Sequence, residues 1–371
     1  MSRKYFTGLD GLRGIAALAV VLYHTLPPSF QLLPRSYLAV DLFFALSGFV
    51  LFHIYMPDEA RPIDRRTFLA QRLIRMYPLY ALGTIGVFVL LLMGAMIGDG
   101  AHPAIGPMLA SGLLNLFFLP VPPIDIFYGN SAFPFNFPAW SLFWELAVNV
   151  LFVMIARHLT ASALKSLLVL GAALLAATAL NHGSLDLGST HASFWGGGSR
   201  VLYSFFIGGF VYRLWQTGRF NFTLPVPLAA LMVTASFAPP AAGSMGALWD
   251  LMMALIGYPA LLLGTANAAI GPRTARLCRE MGLASFAIYA LHAAVLAFIR
   301  MAAPHVTGQP IGDFPAVWAG PILGICVIVA VVADRWFDTP LRRWLSRRWQ
   351  KPTHSAGMGH SRPTVTRPAA P

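Results

Sequence analysis

A few polar side chains stand within or beside long apolar stretches of this sequence, and their types and spacing define the chemistry open to it. Arg13 and His24 share the first stretch, and Asp41, Ser47 and Gly48 share the second. Arg72 and Arg75 stand just before the third, Trp140, Ser141 and Glu145 lie in the fourth, and Tyr289 and His292 in the ninth. A charge at membrane depth costs at least ~2.5–3.5 kcal/mol, so each of these groups needs a partner or a task. Arginine clusters suit phosphates, because the guanidinium fork matches phosphate oxygens. A histidine with a carboxylate partner suits general-base work.

Each residue taken singly also has a plainer reading. Arg13 can anchor a helix at the interface, Arg72 and Arg75 can set topology, and Tyr or Trp can sit in an aromatic belt. Asp41 can be solvated near the outer boundary, His292 can bond a neighbouring helix, and Ser47-Gly48 can be a packing notch. Other chemistries lack their residues. The chain has no H-E-x-x-H, no paired C-x-x-C, no G-x-G-x-x-G after a strand and no Walker lysine, so no metal site and no permanently bound cofactor are expected.

The elements that must position these groups follow from composition. Of 371 residues, 57% are apolar and 11% charged. A soluble domain carries about 25% charge, so an ordinary cytosolic enzyme, a coiled coil and a disordered chain are excluded. The expected fold is all-α, a polytopic bundle of about ten transmembrane helices. The runs lie near 11–28, 38–56, 78–98, 139–157, 163–181, 200–216, 224–240, 247–270, 284–303 and 317–335. An eleventh run, 106–120, is short and flanked by prolines, which suits a re-entrant or surface helix. Residues 1–348 form one membrane domain, and 349–371 a polar, Pro-rich cytoplasmic tail.

The net charge of +12 comes almost wholly from arginine, 23 of the 26 basic residues. It lacks the interleaved aromatics of a nucleic-acid surface, and the positive-inside rule accounts for it. With both termini cytoplasmic, Arg61, Arg65, Arg66, Arg72 and Arg75 fall in one inner loop, and Arg273, Arg276 and Arg279 in another. The tail adds Arg342, Arg343, Arg347, Arg348 and Lys351. Only Arg35, Arg200 and Arg300 then remain outside. In this orientation Arg13, Arg72 and Arg75 lie at the inner face, and His24, Asp41 and Glu145 in the outer half. Arg13 and His24 are eleven residues apart, roughly 16.5 Å of helix rise, comparable with an extended phosphopantetheine arm. Cys278 and Cys326 are not expected to pair.

The chain resembles the bacterial membrane acyltransferase 3 family, the relatives of O-antigen and peptidoglycan O-acetylases. The resemblance covers roughly residues 5–345 and rests on five motifs in order. They are Leu9-Asp10-Gly11-Leu12-Arg13-Gly14 ending in Tyr23-His24, Val40-Asp41-Leu42-Phe43-Phe44-Ala45-Leu46-Ser47-Gly48-Phe49, and Gln71-Arg72-Leu73-Ile74-Arg75-Met76-Tyr77-Pro78. Then come Trp140-Ser141-Leu142-Phe143-Trp144-Glu145 and Ser285-Phe286-Ala287-Ile288-Tyr289-Ala290-Leu291-His292. The chain departs from the family where many members carry a second Glu and Gln-Phe-Tyr; here stands Leu146-Ala147-Val148-Asn149.

The resemblance implies an acyl-CoA donor, most simply acetyl-CoA, on the cytoplasmic side. It implies a glycan or lipid-linked sugar hydroxyl as acceptor outside, and a multi-pass protein of the bacterial inner membrane. An esterase-like domain, which many relatives carry after the last span, is then expected to be a separate protein. The site expected from motif and residue type has His24, Glu145 and Asp41 as catalytic groups. Arg13, Arg72 and Arg75 bind the donor, Ser47-Gly48 passes its arm, and Trp140, Ser141, Tyr289 and His292 contact the acceptor. The competing class is a transporter or flippase of a polar lipid-linked substrate, which ten helices with buried charges also suit.

Overall fold

A computed structural model describes residues 4–56, 63–97, 105–123, 130–220, 222–240, 244–308 and 316–349. The described chain is helical, with one isolated antiparallel bridge, Ser131 to Thr190, and no strand. In chain order the helices are α1 (Thr7–Thr25), α2 (Ala39–Tyr55), α3 (Arg65–Ile97), α4 (Ile105–Leu116), α5 (Ala139–Ile155), α6 (Ala161–His182) and α7 (Phe194–Gln216). There follow α8 (Val226–Ser236), α9 (Ser244–Met252), α10 (Tyr258–Ala266), α11 (Pro272–Thr307), α12 (Ala319–Ala333) and α13 (Thr339–Trp349). A π-turn, Met253–Gly257, joins α9 to α10, and another, Asp334–Asp338, joins α12 to α13. The tail from residue 350, together with Arg61, lies outside the described residues.

Among the described residues seven helical stretches are long and apolar enough to cross a membrane: α2, α3, α5, α6, α9–α10, α11 and α12–α13. The most apolar of them, α12–α13, is also the least buried within the protein, and α2 is the most buried. That ordering follows from solvent: a helix facing lipid must be apolar all round, whereas an enclosed one can carry glycine and charge. Helices α1 and α7, with 19 and 23 residues, are long enough to span but fall outside the seven. Both are largely enclosed by neighbours, each with 11 buried residues. Helix α8, at 11 residues, is about 16 Å long, and α4, at 12, about 18 Å. Neither crosses a ~30 Å hydrocarbon core as a straight helix, and α4 lies on α3, with Phe88 against Gly112.

Helices on the basic side run well past their apolar segments. The thirteen residues before the expected third span are helical, so Arg72 and Arg75 stand on α3 and not in a loop. Arg273, Arg276 and Arg279 likewise stand on α11. Arginine and glutamine sustain a helix as well as leucine does, so the hydropathy boundary marks where the membrane ends, not where the helix ends. Asp64 precedes α3 and accepts from the Arg66 amide at 3.2 Å, with the Thr67 hydroxyl also bonded to it. These bonds, Thr67 foremost, hold the exposed Asp64 carboxyl below its usual range.

The bundle centre is made by two close helix pairs. In α1, a Cβ on Gly11 would lie 2.7 Å from Cys278 Sγ, and one on Gly14 2.5 Å from Met281 Cβ, so α1 presses against α11. In α2, a Cβ on Gly48 would meet the Phe205 carbonyl oxygen at 1.8 Å, and in α7 one on Gly208 would meet the Ala45 oxygen at 1.9 Å. Small residues at such crossings let backbones approach, which is how helices associate where lipid offers no hydrophobic drive. Cys278 and Cys326 are both free and buried.

Two buried arginines on the side opposite the arginine cluster are both neutralised. Arg200, fully buried on α7, donates to Asp41 through Nη2 at 2.6 Å and Nε at 3.2 Å. Arg35 is ion-paired with Asp250, which also accepts from the Tyr37 hydroxyl at 2.9 Å and the Leu185 amide at 2.9 Å. These pairs remove the charge that would otherwise oppose placing arginine at that end.

Candidate active site

Helices α1, α2, α3, α5, α11 and α13 enclose a cavity of about 470 Å³. Arg13 of α1, Arg72 and Arg75 of α3 and Arg342 of α13 line it, together with Ser47 of α2 and Glu145 of α5. Ser141 of α5 and Tyr289 of α11 line it as well. The arginines reach one space because Arg72 and Arg75 stand three apart on α3 and so share a face. Their charges are not equally compensated. Arg13 is paired with Asp10 at 3.1 Å, an i,i+3 contact on α1. Arg72 and Arg75 have no ion-pair partner among the described residues. Arg72 Nε is buried without a hydrogen-bond acceptor, and its guanidinium lies 5.9 Å from the Phe68 ring centroid. Arg75 is accessible, facing the cavity. Two guanidiniums without carboxylates, opening on a common space, make a site for an anion.

Glu145 belongs to this cavity. Its Oε1 accepts from the Ser47 hydroxyl at 2.9 Å. Ser141 donates to the Pro138 carbonyl at 2.9 Å and shares a 2.6 Å hydrogen bond with the Tyr289 hydroxyl. This Ser–Tyr pair lines the cavity below a pair of histidines: the Tyr289 ring lies 5.9 Å from His292, whose own ring stacks on His24 at 5.2 Å. Neither His24 nor His292 is among the residues that line the cavity. His24 Nδ1 lies 2.9 Å from the Val20 carbonyl, and His292 Nδ1 2.8 Å from the Tyr289 carbonyl. A carbonyl only accepts, so in each ring Nδ1 carries the proton and Nε2 offers a lone pair. His292 Nε2 is buried with no partner among the described residues. Phe137 sets its ring against both, at 4.6 and 5.5 Å.

Three expectations change. The histidine–carboxylate group of His24, Asp41 and Glu145 is not formed, since neither carboxylate hydrogen-bonds His24 among the described residues. Asp41 is instead spent on Arg200, with Ser204 at 3.4 Å, and Glu145 on Ser47. A backbone carbonyl does the orienting that a carboxylate was expected to do. Gly48 does not open on the cavity as a passage; it faces α7 against Phe205, while its neighbour Ser47 faces the cavity. Successive residues on a helix differ by about 100°, so the two cannot share a face. Trp140 is buried against Gly188 and Gly197, with the Arg200 guanidinium 5.2 Å from its ring centroid, and is a wall element away from the cavity.

Three partners were missed by sequence reasoning. Asp10 was readable from its spacing to Arg13. The Asp41–Arg200 pairing was signalled by an arginine inside an apolar run, which demands a counter-ion. Arg342 had no local signal separating it from the basic residues around it.

Comparison with known proteins gives the family. "Protein 2 in picA locus" of Rhizobium radiobacter is 41% identical over 155 residues, which is 40% of this chain and 80% of that protein. "Peptidoglycan O-acetyltransferase OatA" of Listeria monocytogenes is 28% identical over 158 residues, 42% of this chain but 24% of that longer protein. No solved structure matches at a significant level. The family described as "Acyltransferase domain" matches residues 6–333, every helix from α1 to α12 apart from the first residues of the chain. With that match running through α1, α2, α3, α5 and α11, the helices that supply Arg13, Arg72, Arg75, Glu145 and the histidine pair, the chain belongs to the membrane acyltransferase 3 family and is an acyltransferase.

Proposed function

We propose that the protein is an O-acetyltransferase of the bacterial inner membrane, moving an acetyl group from cytoplasmic acetyl-CoA to a hydroxyl of an extracytoplasmic glycan or lipid-linked sugar. The observation that carries this reading is one cavity with two uncompensated arginines, separated by a Ser–Tyr pair from two histidines with open Nε2 lone pairs. The relative named as an O-acetyltransferase supports the reaction class.

In this reading Arg72 and Arg75 hold the donor phosphates, with Arg13 beside them. The pantetheine arm runs along the cavity past Ser47 and Glu145, where the carboxylate can accept an amide N–H. The thioester reaches His24 once it passes Ser141 and Tyr289. The acceptor hydroxyl oxygen attacks the thioester carbonyl carbon while His24 Nε2 takes the hydroxyl proton. The C–S bond then breaks, and the CoA thiolate recovers that proton from the imidazolium. Atoms and charge balance without a cofactor. Val20 fixes the His24 tautomer, and His292 holds the ring from one face.

The fold proposal is ten spans with both termini cytoplasmic: the seven apolar stretches, α1 and α7 give nine, and the tenth is the run 224–240, in which the non-helical residues on either side of α8 carry the chain the rest of the way. The paired state of Arg35 and Arg200 supports it. Two experiments test these readings. Membranes containing the protein, given acetyl-labelled acetyl-CoA, should transfer label to surface glycan, and no transfer above membranes lacking the protein rejects the function. A C-terminal reporter active only outside the membrane should be silent, and an active one rejects the topology.

A further inference from the structure

The family match ends at residue 333, yet the cavity does not. Beyond it come the π-turn Asp334–Asp338 and α13, and Asp334, Asp338 and Arg342 all line the same cavity as Arg13, Arg72 and Arg75. Helix α13 packs along α3, the helix that carries Arg72 and Arg75. Arg342 differs from its basic neighbours: it is half-buried, whereas Arg343, Arg347 and Arg348 are exposed.

Its guanidinium is held but not saturated. Nη2 donates to Asp334 Oδ1 at 3.2 Å, and Nε lies 2.7 Å from Asp338 Oδ2. The second contact is close but misaligned, since neither Nε nor either Asp338 oxygen completes a hydrogen bond. Nη1 makes no hydrogen bond among the described residues. Asp338 is itself 1% exposed. A buried carboxylate beside a half-satisfied arginine is a holder: it fixes the guanidinium at the cavity wall while leaving N–H donors free for an incoming anion. The balance of charge agrees. Five Lys and Arg side chains (Lys4 being the fifth) and four carboxylates (Asp10, Glu145, Asp334 and Asp338) line the cavity, so it reaches neutrality only with added negative charge.

We propose that Arg342 is a further phosphate ligand of the donor, delivered by a C-terminal segment that lies outside the family match and completes the cavity wall. Asp334 and Asp338 position it. The donor's several phosphate groups carry more negative charge than Arg72 and Arg75 can balance, and a fourth guanidinium from a separate helix meets them from another side. The inference rests on the reading of the cavity as the acyl-CoA site.

The test is acetyl-CoA binding by calorimetry on the purified full-length protein in lipid nanodiscs. Arg342→Ala should weaken binding about ten- to a hundred-fold, the scale for a hydrogen-bonded charged group. Arg342→Lys should recover part of the loss, and Arg343→Ala should bind as the unmodified protein does. Arg342→Ala leaves Asp338 buried without its cation, so the double variant Arg342→Ala with Asp338→Asn guards against misfolding and should bind equally weakly. Asp338→Asn alone keeps Arg342, with Asp334 still holding its Nη2, and should lose clearly less affinity than Arg342→Ala. Unchanged affinity in the double variant, or a loss in Arg343→Ala or Asp338→Asn matching that of Arg342→Ala, overturns the proposal. If Arg75→Ala is weakened while the Arg342 variants are not, only this inference fails. If Arg75→Ala also binds normally, the donor-site reading itself fails.

Discussion

The rings of His24 and His292 are stacked, with centroids 5.2 Å apart and planes 25° from parallel. Each gives its Nδ1 proton to a carbonyl of its own helix, so both rings point an unprotonated Nε2 away from the backbone. One stands in the last turn of α1 and the other in the middle of α11, and the glycine contacts of α1 against α11 bring them face to face.

For His24 as the base, His24→Ala should lose about 10²–10⁴-fold in turnover while binding acetyl-CoA normally. Transfer of labelled acetyl and calorimetry on the same preparation separate the two quantities. Normal turnover in a well-folded His24→Ala protein rejects the role.

His292 is placed to position His24 by stacking. Its removal in His292→Ala should lower turnover about ten-fold, the scale of one lost ring contact, and His292→Phe, which restores a ring, should regain most of it. If His292→Phe is as poor as His292→Ala, the Nε2 atom itself takes part in the chemistry.

The donor end predicts a different signature. Arg72→Ala and Arg75→Ala should each weaken acetyl-CoA binding about ten- to a hundred-fold, raising KM more than they lower kcat. Native affinity in both variants removes the phosphate assignment.

Asp41 and Arg200 form a buried pair, and breaking it leaves a charge without a partner. Arg200→Ala should cost about 3–5 kcal/mol, seen as a lower thermal midpoint in detergent. Replacing both, Asp41→Leu with Arg200→Met, should cost less. An Asp41→Asn protein that melts normally but has lost all turnover contradicts this account and returns Asp41 to the chemistry.

Gly48 and Ser47 separate packing from function. Gly48→Ala places a Cβ 1.8 Å from the Phe205 oxygen, so little folded protein should elute on size exclusion. Ser47→Ala should fold and lose only the hydrogen bond to Glu145, weakening donor use about ten-fold. Full recovery of folded Gly48→Ala protein shows that the α2–α7 approach is not required.

Much of this protein was legible in the sequence because the governing terms are local. Hydropathy over some twenty residues decides that a segment is a membrane helix. The spacing of Arg72 and Arg75 decides that they share a face, and the residues of the five motifs carry the family. The expected breaks at 106–120 and before span three were read from prolines and arginines; the first coincides with a short α4, and the second is absent, because arginine does not end a helix.

What only the tertiary structure decided is which polar group meets which. That depends on how each helix is rotated and how closely it approaches its neighbours, and no single stretch encodes either. Ser47 faces the cavity and Gly48 faces α7 because adjacent residues on a helix point about 100° apart. Asp41 went to Arg200, 159 positions away, because α2 and α7 cross closely at Gly48 and Gly208. His24 found a carbonyl and a second imidazole in place of a carboxylate. Arg342 entered the cavity because the π-turn after α12 and the packing of α13 on α3 carried it there, a placement that its basic neighbours in the sequence concealed.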